Sequence, residues 1–421
     1  MAMTSHLHPG KMDNLGFVGK LTIYFGAQTG MNLYMKAVLS HSIVDGKGSL
    51  LNNVELHHNL EGVPAAFALT ALQQVTAFFL FMVYIGLSHM FSSNPYTPKK
   101  LKDSREWFAV ILFSLSFTLN IALNNFSMSL ISLSVNLIIR SCLPLSTFIS
   151  QQVAARCTGE KIKDCKLLEI ALMLMGVTCA AVAVIAKTKA AAEGPQVAGQ
   201  NDDLVYGVTI CILSLFSGSI NLALAGVLGT SVSLNSLDTT VYMAVPATLF
   251  LIPVVFFYQH PIKNQEWQLV MGGRSQLTDW EVFSEVCRLS PGTMTLSVLS
   301  GVFALGYNVL QYNIVQTLSA THTAFAGNFN KAATIFLAIL VGLEAMPQGY
   351  WGIVMLSAVL GNILSFTGYN LAKIKGGGEI GHAHGHGSQS VPLKTESVED
   401  DDGEDESVSS NEEEESACGR C

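Results

Sequence analysis

Residues Phe108–Ile139 read FAVILFSLSFTLNIALNNFSMSLISLSVNLII, 32 residues without a charged side chain. A helix crosses a bilayer with roughly 20 mostly apolar residues, so this stretch is too long for one span. Ser127–Ser132 supplies the expected turn between two antiparallel spans, Trp107–Met128 and Ile131–Val153. Two tightly joined apolar helices of this length are a membrane signature, and the rest of the chain repeats it.

Outward from this pair, the same reading predicts Leu21–Leu39, Ala65–Ser88 and Leu167–Ala186 in the first half. The second half gives Leu204–Gly229, Thr240–Tyr258, Met294–Gln316, Ala320–Leu343 and Trp351–Ala372. A polar linker, Lys187 to Asp203, separates the halves, and the longest inter-span loop, about Gln259 to Thr293, is expected to be solvent-exposed. The fold class is therefore an all-α membrane protein with ten transmembrane helices arranged as two inverted five-helix repeats. Its parts are a cytosolic N-terminal segment (1–16), a first half (17–189), a linker (190–203), a second half (204–374) and a disordered acidic tail (375–421). The repeat rests on span count and on one echo: each half's fourth span carries a cation followed by a small residue, Arg140-Ser141 and Lys331-Ala332.

Composition agrees. Of 421 residues 50% are apolar and 13% charged, against about 25% charged in soluble domains, which excludes a soluble multidomain enzyme. The formal net charge of −8 belongs to the tail. Glu379–Cys421 holds 13 acidic residues against Lys394 and Arg420, leaving the preceding 378 residues at +3. Nothing in that balance points to nucleic acid. Of the eight cysteines, Cys142, Cys179 and Cys211 fall in apolar stretches, and no disulfide framework emerges.

The polar first 16 residues, and a first span interrupted by Gln28, Asn32 and Lys36, make a poor signal peptide. In short loops and flanks twelve Lys and Arg fall on the N-terminal side and six opposite. The positive-inside rule then places both termini in the cytosol.

Three cations, Lys36, Arg140 and Lys331, lie inside predicted spans, whereas Glu169, Asp238 and Glu344 sit only at span ends. Each such cation costs about 2.5–3.5 kcal/mol to insert and calls for water, backbone carbonyls or an anionic ligand. Gln28, Asn32 and Lys36 share one helical face, as do Ser132, Asn136 and Arg140, and Thr323, Gly327, Lys331 and Thr334. Three polar stripes read as the wall of a wet cavity for an anion. Snorkelling of Lys36 to the interface and a structural clamp by Arg140 on helix carbonyls stand as the alternatives. Asn120 with Asn124, Asn308 with Gln311, and Asn362 with Tyr369 add neutral polar pairs at helical spacing. Such pairs also serve simply to join helices.

The stretch NIALNNFSMSLISLSVNLIIRSCLP (Asn120–Pro144) resembles the third and fourth spans of the nucleotide-sugar and triose-phosphate transporter family, within the drug/metabolite transporter superfamily. VPAAFALTALQQ (Val63–Gln74) is similar to that family's second-span entry, and TGEKIKDCKLLEIALMLMGV (Thr158–Val177) to its loop into the fifth span. GNFNKAATI (Gly327–Ile335) resembles the ninth-span motif G-x-x-N-K of GDP-sugar carriers, with Gly327, Asn330 and Lys331 matching. The seventh-span pattern F-Y-N-N of GDP-mannose carriers would fall on Val241–Ala244, where Tyr242 alone matches; the Lys-Arg pair of triose-phosphate exchangers would fall on Lys331 and Ala332.

The resemblance implies a Golgi or ER antiporter that exchanges a nucleotide-sugar for a nucleoside monophosphate by alternating access. Lys331, Asn330 and Gly327 would hold the nucleotide phosphates, Arg140 a second phosphate, and Lys36 would complete the positive field. Asn32, Asn136, Tyr242 and Asn308 are the remaining candidate substrate contacts. No enzyme activity, cofactor or metal is expected, and the partners are an anionic small molecule and the lipid bilayer, with a homodimer left open. A carrier of smaller sugar phosphates and a non-transporting scaffold acting through the acidic tail are the alternatives. In that tail His382, His384 and His386 are read as incidental to a flexible segment, and Ser397, Ser409 and Ser410 sit in acidic contexts.

Overall fold

Long apolar runs with few breakers fold into long helices. The computed structural model describes residues 14–383, apart from 52–53, 159–165, 193–199, 231, 263, 319 and 345. In chain order it has α1 (Asn14–Ser40), β1 (Ile43–Asp45), β2 (Leu50–Leu51), β3 (Val54–Glu55), β4 (Leu60–Glu61) and α2 (Ala66–Phe91). There follow α3 (Ser104–Leu130), α4 (Leu133–Arg140), α5 (Leu143–Thr158), α6 (Leu167–Ala192), α7 (Gln200–Thr230) and α8 (Ser236–Phe257). The last third holds β5 (Gln259–Pro261), α9 (Gln265–Val270), β6 (Gln276–Thr278), α10 (Asp279–Leu289), α11 (Pro291–Leu318), α12 (Ala320–Leu340) and α13 (Tyr350–Ala383).

Among the described residues eight helical stretches are long and apolar enough to cross a membrane: α2, α3, the α4–α5 run Leu133–Ser150, α6, α7, α8, α11 and α13. Large apolar side chains such as Phe79, Phe108, Leu249, Phe336 and Leu360 are exposed along the helices. Both features are consistent with an integral membrane protein. Helices α1 and α12 occupy the positions expected for the first and ninth spans but are not among the eight. Each carries a lysine and amides, Gln28, Asn32 and Lys36 on α1 and Asn328, Asn330 and Lys331 on α12.

The turn after α3 falls where the serines predict it. Helix α3 runs to Leu130, and the Ser132 hydroxyl accepts the Val135 amide at 3.4 Å to cap α4. The fourth span, expected as one helix, is two. Pro144 cannot donate to the carbonyl four residues back, that of Arg140, and its ring crowds that carbonyl. Ser141 and Cys142 form a turn there, tightened by the Ser141 amide on Ile138 O (3.2 Å) and the Cys142 amide on Ile139 O (3.1 Å).

Three other expectations need correction. Residues 190–192 and 200–203, assigned to a linker, are helical ends of α6 and α7. Residues 376–383, assigned to the disordered tail, continue α13; His382 falls in this stretch, and His384, His386 and the acidic residues beyond lie outside the described residues. The 259–293 segment is folded, not an exposed loop. Its strands β5 and β6 pair antiparallel, α9 buries Trp267 completely, and α10 buries Val282 and Val286. The period-3.6 pattern of α10 and its complete Thr278–Glu281 capping box are legible in the sequence, but the mixed charges around them obscured it.

This folded segment grips the 41–65 connection, where β1 pairs with β4. Trp267 Nε1 donates to the carbonyls of Glu61 (3.2 Å) and Gly62 (3.1 Å), and Asn264 Nδ2 to Glu61 O (3.0 Å). Gly62 is in the left-handed region at φ +77°, and a Cβ there would lie 2.5 Å from Leu39 O, so only glycine fits. Asp279 is fully buried; it accepts the Ala68 amide at 2.8 Å, in the first turn of α2, and faces His260 Nε2 at 2.6 Å.

Helix pairing follows a pattern. Helix α3 packs on α7 and α8, α11 on α1 and α2, α4 and α5 on α7, and α12 on α1, with α2 against α8 and α4 against α12. Buried carboxylates tie the connections. Asp238 accepts the Tyr96 hydroxyl (2.6 Å) and the Lys99 amide (3.2 Å). Glu344 accepts the Leu133 amide (3.1 Å) and the Ser134 hydroxyl (2.7 Å) at the start of α4, and pairs with Lys187 of α6 at 3.1 Å.

Burial raises the pKa of the Glu344 carboxyl, but the Ser134 hydrogen bond and Lys187 outweigh it, leaving the group below the ordinary 4.5. Its stabilisation is therefore complete above about pH 4.5 and is lost as pH falls through the depressed folded value. Glu344→Gln should destabilise the protein at pH 7 by about 1.5–3 kcal/mol, the range for a charge-assisted hydrogen bond. It should also flatten the loss of melting temperature below pH 4.5. Thermal melts in detergent across pH check both.

Candidate functional site

The interruption of the fourth span leaves Arg140 as the last residue of α4, with its guanidinium turned toward α3 and α7. Nη2 donates to Asn120 Oδ1 at 3.1 Å and Nη1 to the Ser214 hydroxyl at 3.2 Å. Ser214 in turn donates to Asn120 O at 2.8 Å. Helix α7 comes this close because residue 218 is glycine, where a Cβ would stand 2.7 Å from Asn120 Oδ1. On α12, Lys331 is 5% exposed and its Nζ donates to Asn328 Oδ1, one turn back, at 3.0 Å. Gly327 faces that ammonium, its Cβ position being 3.8 Å from Lys331 Nζ.

Arg140 and Lys331 open onto one cavity. Nine amide side chains line it, from α1 (Gln28, Asn32), α2 (Gln73, Gln74), α3 and α11. Tyr24 and Tyr307, both in its lining, stack on each other at 6.1 Å, and Gln28 Nε2 donates to the Tyr307 hydroxyl at 3.3 Å. Among the described residues the lining includes no carboxylate. A chamber with two basic side chains, many neutral hydrogen-bonding groups and, among the described residues, no carboxylate is suited chemically to an anion that also carries uncharged polar groups.

Of the nine residues singled out from sequence, the structure brings five to this cavity: Lys331, Gly327, Arg140, Asn32 and Asn308. The other four are placed elsewhere. Lys36 Nζ donates to Met128 O (3.0 Å) and Ile131 O (3.5 Å), the carbonyls that end α3. Asn330 joins α12 to α1, donating to Gln28 Oε1 at 2.6 Å and accepting the Thr29 hydroxyl. Asn136 packs on α7, with Nδ2 directed at Cys211 Sγ (3.5 Å) and at the Ser127 hydroxyl (3.3 Å). Tyr242 donates to Lys99 O at 2.6 Å near the start of α8. Stripes at i, i+4, i+8 drift around a 3.6-residue helix by about 40° per step, so Gln28 and Asn32 reach the cavity while Lys36 points to the α3–α4 turn.

Sequence reading passed over Gln73, Gln74, Asn125, Tyr24 and Tyr307. Adjacent amides in an otherwise apolar α2 were the available signal.

The fold and cavity define a class: a bundle of membrane-crossing length around a cation-bearing polar chamber. No protein-family model matches the chain, and no curated protein matches it. A solved structure described only as "Crystal structure of protein" aligns over 83% of this chain and 98% of its own, at 14% identity and a TM-score of 0.38.

Lys36 and Asn32 separate the roles experimentally. Lys36→Met leaves the ends of α3 without a donor and should lower the melting temperature, at a cost of about 1–3 kcal/mol. Asn32→Leu, on the cavity wall, should melt close to the parent.

Proposed function

We propose that this protein is a ten-helix membrane antiporter of the nucleotide-sugar transporter type, with α1 and α12 serving as its first and ninth spans. It exchanges a nucleotide-sugar for a nucleoside monophosphate across a Golgi or ER membrane, both termini in the cytosol, and performs transport rather than catalysis. The observation that carries this reading is a chamber in which, among the described residues, Arg140 and Lys331 stand with nine amides and no carboxylate.

The helix pairing supports an inverted repeat. If the first five spans map onto the second five, α3 on α7 corresponds to α11 on α1, and α4 with α5 on α7 corresponds to α12 on α1; both members of each pair are present. Under that mapping Arg140 and Lys331 are equivalent, one from each half. A bound anion neutralises both cations, and the two halves rock about it so that the chamber faces each side in turn. The two basic groups of an empty chamber have no carboxylate in its described lining, which favours crossing with an anion bound and couples the two fluxes as exchange. A sugar phosphate alone would engage the cations but leave most of the amides unused, which favours the larger substrate.

Counterflow of labelled nucleoside monophosphate into proteoliposomes preloaded with nucleotide-sugars or sugar phosphates tests the reading. Lys331→Ala should abolish exchange without lowering the unliganded melting temperature, because the Lys331 hydrogen bond stays within its own helix. Arg140→Lys should reduce exchange by tenfold or more, since lysine cannot reproduce the fork that holds Asn120 and Ser214 together. Exchange at the parent rate by Lys331→Ala would overturn the assignment of the chamber.

A further inference from the structure

The helix pairing sets α3, α4 and α5 on α7 and sets α11 and α12 on α1. The seam between these two groups runs between α4 and α12, and between α1 and the α3–α4 turn. Three charged side chains meet there. Lys36 of α1 donates to Met128 O (3.0 Å) and Ile131 O (3.5 Å). Glu344, beyond α12, accepts the Leu133 amide (3.1 Å) and the Ser134 hydroxyl (2.7 Å), and Lys187 of α6 holds Glu344 at 3.1 Å. These contacts stand at one end of the chamber, whose lining includes Met128 and Met35, the residue before Lys36. Both methionines are buried.

Helix α4 is bounded by a break at each end. It has eight residues, about 12 Å of rise, between the Ser132 turn and the Ser141–Cys142 turn. Its two sides are packed unequally. Toward α7 the fit is close: Asn136 Nδ2 reaches Cys211 Sγ at 3.5 Å, and a Cβ on Gly207 would lie 2.5 Å from Ile131 Cγ2. Toward α12 there is a small void, lined by Leu137, Ile138 and Ser141 of α4 with Asn328, Ala332 and Ile335 of α12. Atoms that border a void forfeit dispersion contacts, so α4 parts from α12 more readily than from α7. What holds the turn across the seam is therefore largely charge, carried on long side chains that reach backbone groups. At the chamber's other end the tie from α11 is neutral: Gln316 Nε2 donates to Leu234 O at 3.2 Å and to Thr239 Oγ1 at 3.4 Å.

We propose that Lys36 and Glu344, with Lys187 steadying Glu344, form a charged latch, and that the chamber opens at the α3–α4 end when this latch releases. The turn and α4 then leave α1 and α12 but stay on α7, bending at Ser141–Cys142. This rests on the reading of the chamber as a transport site. Arg140 stands at the hinge end of α4, so an anion drawn to it acts on the same short helix whose far end is latched.

The test follows labelling of ligand-free, full-length protein in detergent by N-ethylmaleimide, resolved peptide by peptide by mass spectrometry. Ile138→Cys places a reporter on the α12 side of α4, at a buried position; native Cys211, fully buried, reports the α7 side. Adding Lys36→Met or Glu344→Gln should speed labelling at position 138 about tenfold, the equivalent of one lost hydrogen bond, and leave Cys211 within about twofold. Lys36→Arg keeps a donor for both carbonyls and should leave position 138 slow. In proteoliposomes preloaded with nucleoside monophosphate, Lys36→Met should raise net efflux in the absence of any counter-substrate.

An equal rise at both positions makes the charges general packing elements and overturns the latch. So does no rise at 138, or a rise confined to Cys211. Faster labelling at 138 without added efflux overturns the latch's part in transport. Labelling needs no substrate, so it decides the latch even where the parent exchanges none of the probes, the result that overturns the proposed function alone.

Discussion

A helix that ends in a packed interior leaves carbonyls at one end and amides at the other, and where water is excluded the protein itself must satisfy them. The α3–α4 turn is where the bundle meets this demand most directly. Lys36 reaches from α1 to the carbonyls of Met128 and Ile131, and Glu344 reaches from beyond α12 to the amide of Leu133. A cation serves the carbonyl end and a carboxylate serves the amide end, each matching the local helix dipole. Asp279 does the same for the first turn of α2 at Ala68. Charges committed in this way hold connections in place and leave the chamber to Arg140 and Lys331.

Those two are held differently. Arg140 is tied across helices, to α3 through Asn120 and to α7 through Ser214, so its position reports the packing of three elements. Lys331 is tied within its own helix, to Asn328, and moves only as α12 moves. Asn330, its neighbour, meanwhile fixes α12 to α1 through Gln28 and Thr29. One residue of the Asn330-Lys331 pair thus binds helix to helix while the next faces the chamber, a consequence of the 100° turn between adjacent residues.

Much of this was legible in the sequence because apolar length and buried charge are strong signals. The helices at the expected span positions, the serine turn near Ser132 and the cations at 140 and 331 were visible without coordinates. What was not visible has physical causes. Lys36, Arg140 and Lys331 are equal as cations in a sequence; only the register of α1 against the end of α3 makes Lys36 a cap. Pro144 announced a break, but the apolar run across it masked the split into α4 and α5. The 259–293 segment hid its core because Trp267, Val282 and Val286 bury against strands and turns distant in sequence. Gln73 and Gln74 lacked charge, and their place on the wall depends on how α2 rotates against α3 and α11.

Gly218 carries more than close packing. With no side chain of its own, it lets the carbonyl oxygen of the Asn120 amide sit against the α7 backbone, within reach of Arg140 Nη2. A methyl group there would act as a wedge, turning that oxygen away and releasing one arm of the guanidinium toward the chamber. The electrostatic potential inside the chamber is therefore governed in part at a position that has no charge and no side chain. The field inside the chamber can thus be altered by single-carbon changes on a neighbouring helix, with both basic residues kept intact.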